Sequence, residues 1–314
     1  MLFAIESAQI HDSLYAFLSI LLEGAFFIFI GTVISGFIDA YLPSSLLDRM
    51  LPKNRVLAVM VGGLLGAVLP VCECAIVPVI RRLVAKGLPL SVAITYMLAA
   101  PIINPVTMVS TFAAFSERGE AGVLVASSRA LLAYGVTVVV GLIMMRVALD
   151  SVLRPQIRAA VKAKEEGREH DHAPAKGQRL VHALRVAQRD FTDVAMYFVV
   201  GVALTAFLNN VIPRNWIEPL AANDATAIPT LMSAAFILSL CSTSDAFVAA
   251  SLDAFSYAAK LAFLIFGPMM DLKLVFLYSS IFKPRFVLIL AGGLFILVGV
   301  VCYQWGVFDH PAAR

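Results

Sequence analysis

An all-α polytopic membrane protein, built as two homologous halves of four apolar segments each, is the fold class that this sequence predicts. Three observations predict it. The first is composition: of 314 residues, 60% are hydrophobic and 14% are charged, against about 25% charged in an ordinary soluble domain. The second is distribution, because Lys, Arg, Asp and Glu crowd into a central polar segment and a few short loops, while long runs carry almost none. A run of about 20 apolar residues spans a bilayer. The third is symmetry: four apolar stretches, a basic segment, then four more.

The first four stretches cover residues 14–37, 56–80, 88–115 and 122–149. The opening residues carry no basic n-region and no small-residue cleavage site, so the first stretch is expected to remain as a helix. Residues 150–190 are polar and carry Arg154, Arg158, Lys162, Lys164, Arg168, Lys176, Arg179, Arg185 and Arg189. An excess of Lys and Arg marks a cytoplasmic loop. Four further stretches follow at 193–212, 228–252, 257–281 and 286–305. The expected organisation is therefore a first membrane repeat over 1–149, a basic cytoplasmic linker over 150–190 and a second membrane repeat over 191–314. The formal charge of +3 is a topology signal, and no nucleic acid is expected as a partner. The multi-pass chain is expected in the cell inner membrane, with the lipid bilayer as its main partner and a homo-oligomer left open.

Laying the second half over the first with a shift of about 170 residues aligns Glu23 with Asp193, Phe27 with Tyr197, Gly31 with Gly201 and Pro43 with Pro213. It also brings Cys72 and Cys74 onto Ser242 and Ser244. After a short deletion, Ala100-Pro101-Ile102-Ile103-Asn104 meets Gly267-Pro268-Met269-Met270-Asp271. If all eight stretches crossed fully, Lys53 and Arg55 would face away from Arg81, Arg82, Lys86 and the basic linker. If the second stretch of each half is a hairpin that enters and leaves on one side, these cations share one face. The hairpin tips would fall near 69–74 and 241–244. Each half then makes three full crossings, an odd number that inverts one half relative to the other. Eight straight helices are the plainer alternative.

Two segments concentrate chemistry. In Leu69-Pro70-Val71-Cys72-Glu73-Cys74-Ala75-Ile76-Val77-Pro78, two thiols and a carboxylate sit between prolines that interrupt a helix. Thiolates are soft donors suited to monovalent copper, zinc or a thiophilic metalloid, and a carboxylate at membrane depth is a functional candidate. The plain reading is that Cys72 and Cys74 are small buried hydrophobes. The second segment, Leu240-Cys241-Ser242-Thr243-Ser244-Asp245, places hydroxyls where the first has thiols, although hydroxyls also serve as ordinary helix-packing groups. Pro101 with Asn104, and Pro268 with Asp271, mark breaks in the third stretch of each half. There Asn104 and Asp271 either cap a freed helix end or touch a solute. Glu23, within the first stretch, is a candidate for proton coupling or gating. Glu169, His170, Asp171 and His172 in the linker read as a solvated charged loop.

The pattern Pro70-x-Cys72-x-Cys74-x-x-x-Pro78, with Ala100-Pro101-x-x-Asn104-Pro105 and Cys241-Ser242-x-x-Asp245-Ala246-Phe247, resembles the predicted permeases of the ArsP/YraQ type. The resemblance covers nearly the whole chain apart from the linker. One branch of that family is similar to exporters of trivalent organoarsenicals. It implies that Cys72 and Cys74 receive a thiophilic solute; from the residues themselves, Glu73, Ser242, Ser244, Asp245, Asn104 and Asp271 are expected around it. Pro70, Pro78, Pro101 and Pro268 would shape the interrupted helices. This sequence has Glu at 73 where the family usually has Ser, and Ala at 75 where Gly is usual, which shifts the expected cargo toward a cationic soft metal. No Walker-type phosphate loop is present and no cofactor is expected, so an ion gradient or a partner would supply energy. The chain is expected not to be an enzyme. A membrane thiol oxidoreductase using Cys72 and Cys74, and a passive channel, are the competing readings.

Overall fold

A computed structural model describes residues 2–42, 51–69, 71–117, 122–165, 178–211 and 223–308. Among these the chain is helical, with one isolated bridge between Leu153 and Phe282. The expectations placed on Pro70, on residues 169–172, and on the side chains of Lys162 and Lys164 lie outside the described parts. The first half contains α1 (Leu2–Tyr41), α2 (Arg55–Val68), α3 (Ile76–Ala85), α4 (Leu90–Ala99), α5 (Pro105–Ser116) and α6 (Gly122–Met144). Two short helices follow, α7 (Leu149–Val152) and α8 (Pro155–Glu165). The second half contains α9 (Arg179–Val211), α10 (Asp224–Leu238), α11 (Asp245–Ala250), α12 (Tyr257–Met269), α13 (Leu272–Tyr278) and α14 (Pro284–Phe308). Each half thus has one long helix, a stretch broken once, a second stretch broken once, and a closing long helix.

Five spans are long and apolar enough to cross a membrane: Phe17–Tyr41, Gly122–Met144, Arg179–Leu208, Tyr257–Tyr278 and Pro284–Gly306. At about 1.5 Å per residue each exceeds the roughly 30 Å hydrocarbon core. Their outer faces carry exposed Leu22, Phe26, Met196, Ile289 and Ile296, the surface a lipid-facing helix needs. Tyr257–Tyr278 is instead buried almost throughout and forms the centre of the bundle. The last part of the polar segment is helical: α9 begins at Arg179 and runs without interruption into the apolar span.

Glycines fix how these elements run. Gly24 packs on the Phe198 ring and Gly36 on the Ala183 backbone, so α1 and α9 are antiparallel. A Cβ at Gly31 would collide with the Ala75 backbone, so only glycine lets the start of α3 approach α1 this closely. The Lys86 ammonium then donates to the Asp39 and Leu42 carbonyls at 2.8 Å each, which brings the end of α3 to the end of α1. Gly62 faces Val92 and Gly66 faces Ala100, so α2 runs parallel to α4. Helix α4 starts just beyond the turn at Gly87, whose φ of 94° suits glycine. Arg55 and Lys86 therefore lie at one end of the bundle, and residues 55–86 form a hairpin whose tip lies inside it.

In the second half, Ser256 Oγ donates to Asp224 Oδ1, and Gly306 packs beside Ala258 and Asp224. The starts of α10 and α12 and the end of α14 thus meet. At the opposite end the Arg154 N–H donates to the Ile281 carbonyl at 3.0 Å, and the Lys283 N–H to the Val152 carbonyl at 2.9 Å. The α10–α11 hairpin consequently enters from the end opposite to the α2–α3 hairpin. The geometry matches two oppositely directed hairpins and not eight straight helices.

Candidate transport site

Both hairpin tips are non-helical at their described residues: 69 and 71–75 between α2 and α3, and 239–244 between α10 and α11. Backbone of this kind is tolerated at membrane depth only inside protein or against a wet cavity. Ser239 ends α10 in the left-handed region, with φ 49° and ψ 47°, a conformation uncommon for a residue other than glycine. Its hydroxyl donates to the Phe236 carbonyl at 3.1 Å.

The prolines do less breaking than their sequence positions suggest. Pro78 stands in the first turn of α3, where a missing N–H costs no hydrogen bond. It starts a helix there. Pro268 is carried inside α12, which ends at Met269, whereas Pro101 lies in the break between α4 and α5. Asn104 and Asp271 are helix caps. Asn104 accepts from the Val106 N–H at 2.9 Å, and Asp271 Oδ1 from the Leu274 N–H at 2.7 Å. These bonds satisfy donors that a helix start otherwise leaves unpaired.

Between the tips lies a cavity of about 170 Å³, smaller than the roughly 300–1,000 Å³ that drug-sized ligands need. Its wall includes Cys72, Glu73 and Cys74 from the first tip, and Ser239, Cys241 and Ser244 from the second. Helix α1 contributes Ser19, Glu23 and Phe27, α9 contributes Phe198, and α13 contributes Lys273. Asn104, Asp271, Pro78, Pro101 and Pro268 do not line it. Ser242 and Asp245 are buried behind it.

Charged side chains tie the tips together. Glu73 Oε2 accepts from Ser242 Oγ at 3.3 Å, and Glu73 Oε1 faces Lys273 Nζ at 3.5 Å. The same ammonium donates to the Ser239 carbonyl at 2.8 Å and lies 3.3 Å from Asp271 Oδ2. Behind the second tip, fully buried Arg129 of α6 donates to Asp245 Oδ2 and to Thr111 Oγ1, each at 2.7 Å, and to the Ser242 carbonyl at 3.3 Å. Three carboxylates, Glu73, Asp245 and Asp271, face two cations, Arg129 and Lys273. With all of them ionised, the linked groups carry one excess negative charge.

Sequence reasoning passed over Arg129, Lys273, Ser239 and the ligand role open to Cys241. The rule that singled out Asp245, an ionisable group inside an apolar stretch, applies equally to Arg129 and Lys273. For Ser239 there was no signal, because its left-handed backbone is set by the tertiary structure. Among the described residues no three His, Cys, Asp or Glu side chains converge as a ready metal-ligand set. The thiols therefore line a cavity and do not form a closed metal centre.

The cavity is bounded toward the Lys86 end by polar contacts among α1, α3 and α9. Arg81 pairs with Asp193 at 2.9 Å, and Arg82 with Asp190 at 2.9 Å and Asp39 at 3.4 Å. Ser35 Oγ donates to Asp190 at 2.8 Å, and the His182 ring meets Asp39 at 3.0 Å.

Comparison with known proteins places this architecture. The model of the ArsP_1 family, described as a predicted permease, matches residues 9–306. The chain belongs to that predicted permease family. The permease is 37% identical over 283 residues to the UPF0718 protein YcgR of Bacillus subtilis, covering 90% of this chain and 92% of that protein. It is 33% identical over 304 residues to a putative two-component membrane permease complex subunit of Streptococcus mutans, covering 96% and 97% respectively. No solved structure matches it.

Proposed function

We propose that this permease is an inner-membrane exporter of a small thiophilic solute, a trivalent organoarsenical, a metalloid or a soft metal, bound in the cavity between the hairpin tips. One observation carries the reading: Cys72, Cys74 and Cys241 come from two distant segments and line one small cavity that also holds Glu73 and Lys273. Thiols are the soft donors that such cargo prefers. The repeated element order, with hairpins entering from opposite ends, supports two related halves that rock about a central site. The printed name of the Streptococcus mutans relative makes that protein a complex subunit. We extend this to the present chain, and purification of the tagged chain from its native membrane checks it through a stoichiometric second component.

Uptake into cells lacking their own exporters tests the cargo. Cells expressing the chain should accumulate less methylarsenite, arsenite or monovalent copper than cells expressing Cys72→Ser/Cys74→Ser. Equal accumulation of all three solutes in both cells would remove soft-ligand export as the function.

A further inference from the structure

Lys273 is 3% exposed, and its ammonium is surrounded by oxygen. The Ser239 carbonyl lies at 2.8 Å, Asp271 Oδ2 at 3.3 Å, the Leu240 carbonyl at 3.4 Å and Glu73 Oε1 at 3.5 Å. Two carboxylates and two carbonyls freed by a helix break make a ligand set of the kind that holds an alkali cation in a discontinuous membrane helix. Here the cation is covalently attached to the chain. The side chain starts at the second position of α13, and the Cα and carbonyl of Lys273 are held close against Gly201 of α9, which fixes the root of the tether.

The four contacts are unequal. A charge-assisted N–H···O bond is commonly about 2.7–2.9 Å, so the Ser239 carbonyl grips the ammonium, while Glu73 is its most distant hydrogen-bond partner and Asp271 Oδ2 makes an ion-pair contact alone. Among the described residues the second oxygen of Glu73 accepts from Ser242 Oγ alone, at 3.3 Å. Glu73 also stands in the cavity wall between the two thiols. The groups around it include Lys273, Asp271 and Tyr278 from the α13 side, Ser242, Cys241 and Asp245 from the second tip, Cys72 and Cys74 from its own, and Glu23 of α1 in the same cavity wall. Lys273 can let go of Glu73 and keep three oxygens. Glu73 then has a full negative charge to offer to whatever lies between the thiols.

We infer that Lys273 is a built-in counter-cation, an ammonium seated in a four-oxygen cation site, from which a positively charged cargo takes Glu73. The cargo-exchange part rests on the transport reading above and deepens it. It assigns the solute a positive charge and makes Lys273 the residue that occupies Glu73 in the empty carrier. A neutral thiophilic solute has no need to compete with the ammonium, so Lys273 also separates soft cations from uncharged arsenicals.

Purified full-length chain in detergent, with Lys273→Ala, tests the site without any cargo. Replacing choline chloride by sodium chloride at constant ionic strength should leave the wild-type melting temperature flat. In Lys273→Ala it should rise by about 2–4 °C for each tenfold increase of sodium beyond its dissociation constant. Methylammonium should act in the same way, and adding Glu73→Gln, which removes one of the two carboxylates, should shift the response to higher cation concentration. A Lys273→Ala melting temperature indifferent to both cations would overturn the cation site.

Should Lys273→Ala not accumulate, Glu73→Gln carries the test, because it keeps the ammonium and its three other oxygens. Silver binding should then fall about tenfold or more while methylarsenite binding holds. Equal losses for the two probes, or none for silver, would overturn the inference. Failure of the wild type to bind either probe would count against the transport reading, whereas the sodium response is independent of it.

Discussion

At Arg129 a fully buried guanidinium meets Asp245 at 2.7 Å, with side-chain exposures of 0% and 3%. Bringing both charges out of water is costly, and removing one partner of such a pair costs about 3–5 kcal/mol because the other stays buried and uncompensated. Arg129→Met should therefore lower the thermal midpoint in detergent and reduce the folded yield. Adding Asp245→Asn should restore much of the loss, since an amide needs no counter-charge, and a double variant no more stable than Arg129→Met would show that the pair is not what holds α6 to the second tip. Residue identity at this scale was partly readable. Asp245, Arg129 and Lys273 each stand out as charges within apolar stretches, but their pairing joins positions 116 and 200 residues apart. Local pattern carries no information about contacts of that range, so the sequence pointed to a wall of thiols and carboxylates and not to the cations that neutralise them.

Among the elements, the breaks were legible because runs of small and polar residues at membrane depth have few other uses. Their described residues are 69, 71–75 and 239–244, close to the expected tips. The roles of the prolines were not legible from residue type, since a proline in a first turn starts a helix as readily as one in the middle ends it. Residues 179–190, read from sequence as part of the basic linker, stand at the start of α9, where Asp190 and His182 pair with Arg82 and Asp39. That junction lies between the cavity and the Lys86 end of the bundle. Asp190 is 2% exposed and accepts from Arg82 and Ser35, so Asp190→Asn removes the charge that holds Arg82 while preserving its shape. In a chain lacking Cys74 and Cys302, this variant should react faster at Cys72 and Cys241 with an impermeant thiol reagent supplied from the Lys86 end. Unchanged labelling would mean that the α1–α3–α9 contacts are only packing and do not gate the site.

For the molecule as a whole, orientation follows from charge and from how the hairpins run. The start of α2, the end of α3, the start of α9 and the start of α14 gather at one end of the bundle, and Lys53, Arg81, Arg82, Arg179 and Arg285 lie in or next to these elements. The opposite end holds the starts of α10 and α12, with Asp224 and Asp253. Cytoplasmic loops carry the excess of Lys and Arg, so the basic end should face the cytoplasm. Lys53→Cys, Gln178→Cys and Arg285→Cys, each exposed and each placed singly in a Cys-free chain, should resist impermeant maleimide added outside intact cells and react once the membrane is opened. Asp253→Cys should react from outside. The decisive pair is Lys53 and Gln178, because eight straight crossings would put an odd number of spans between them and a hairpin at 55–86 puts an even number. Labelling of both from one face requires the hairpin, and labelling from opposite faces would dismantle the inverted arrangement on which a central, alternately opened site depends.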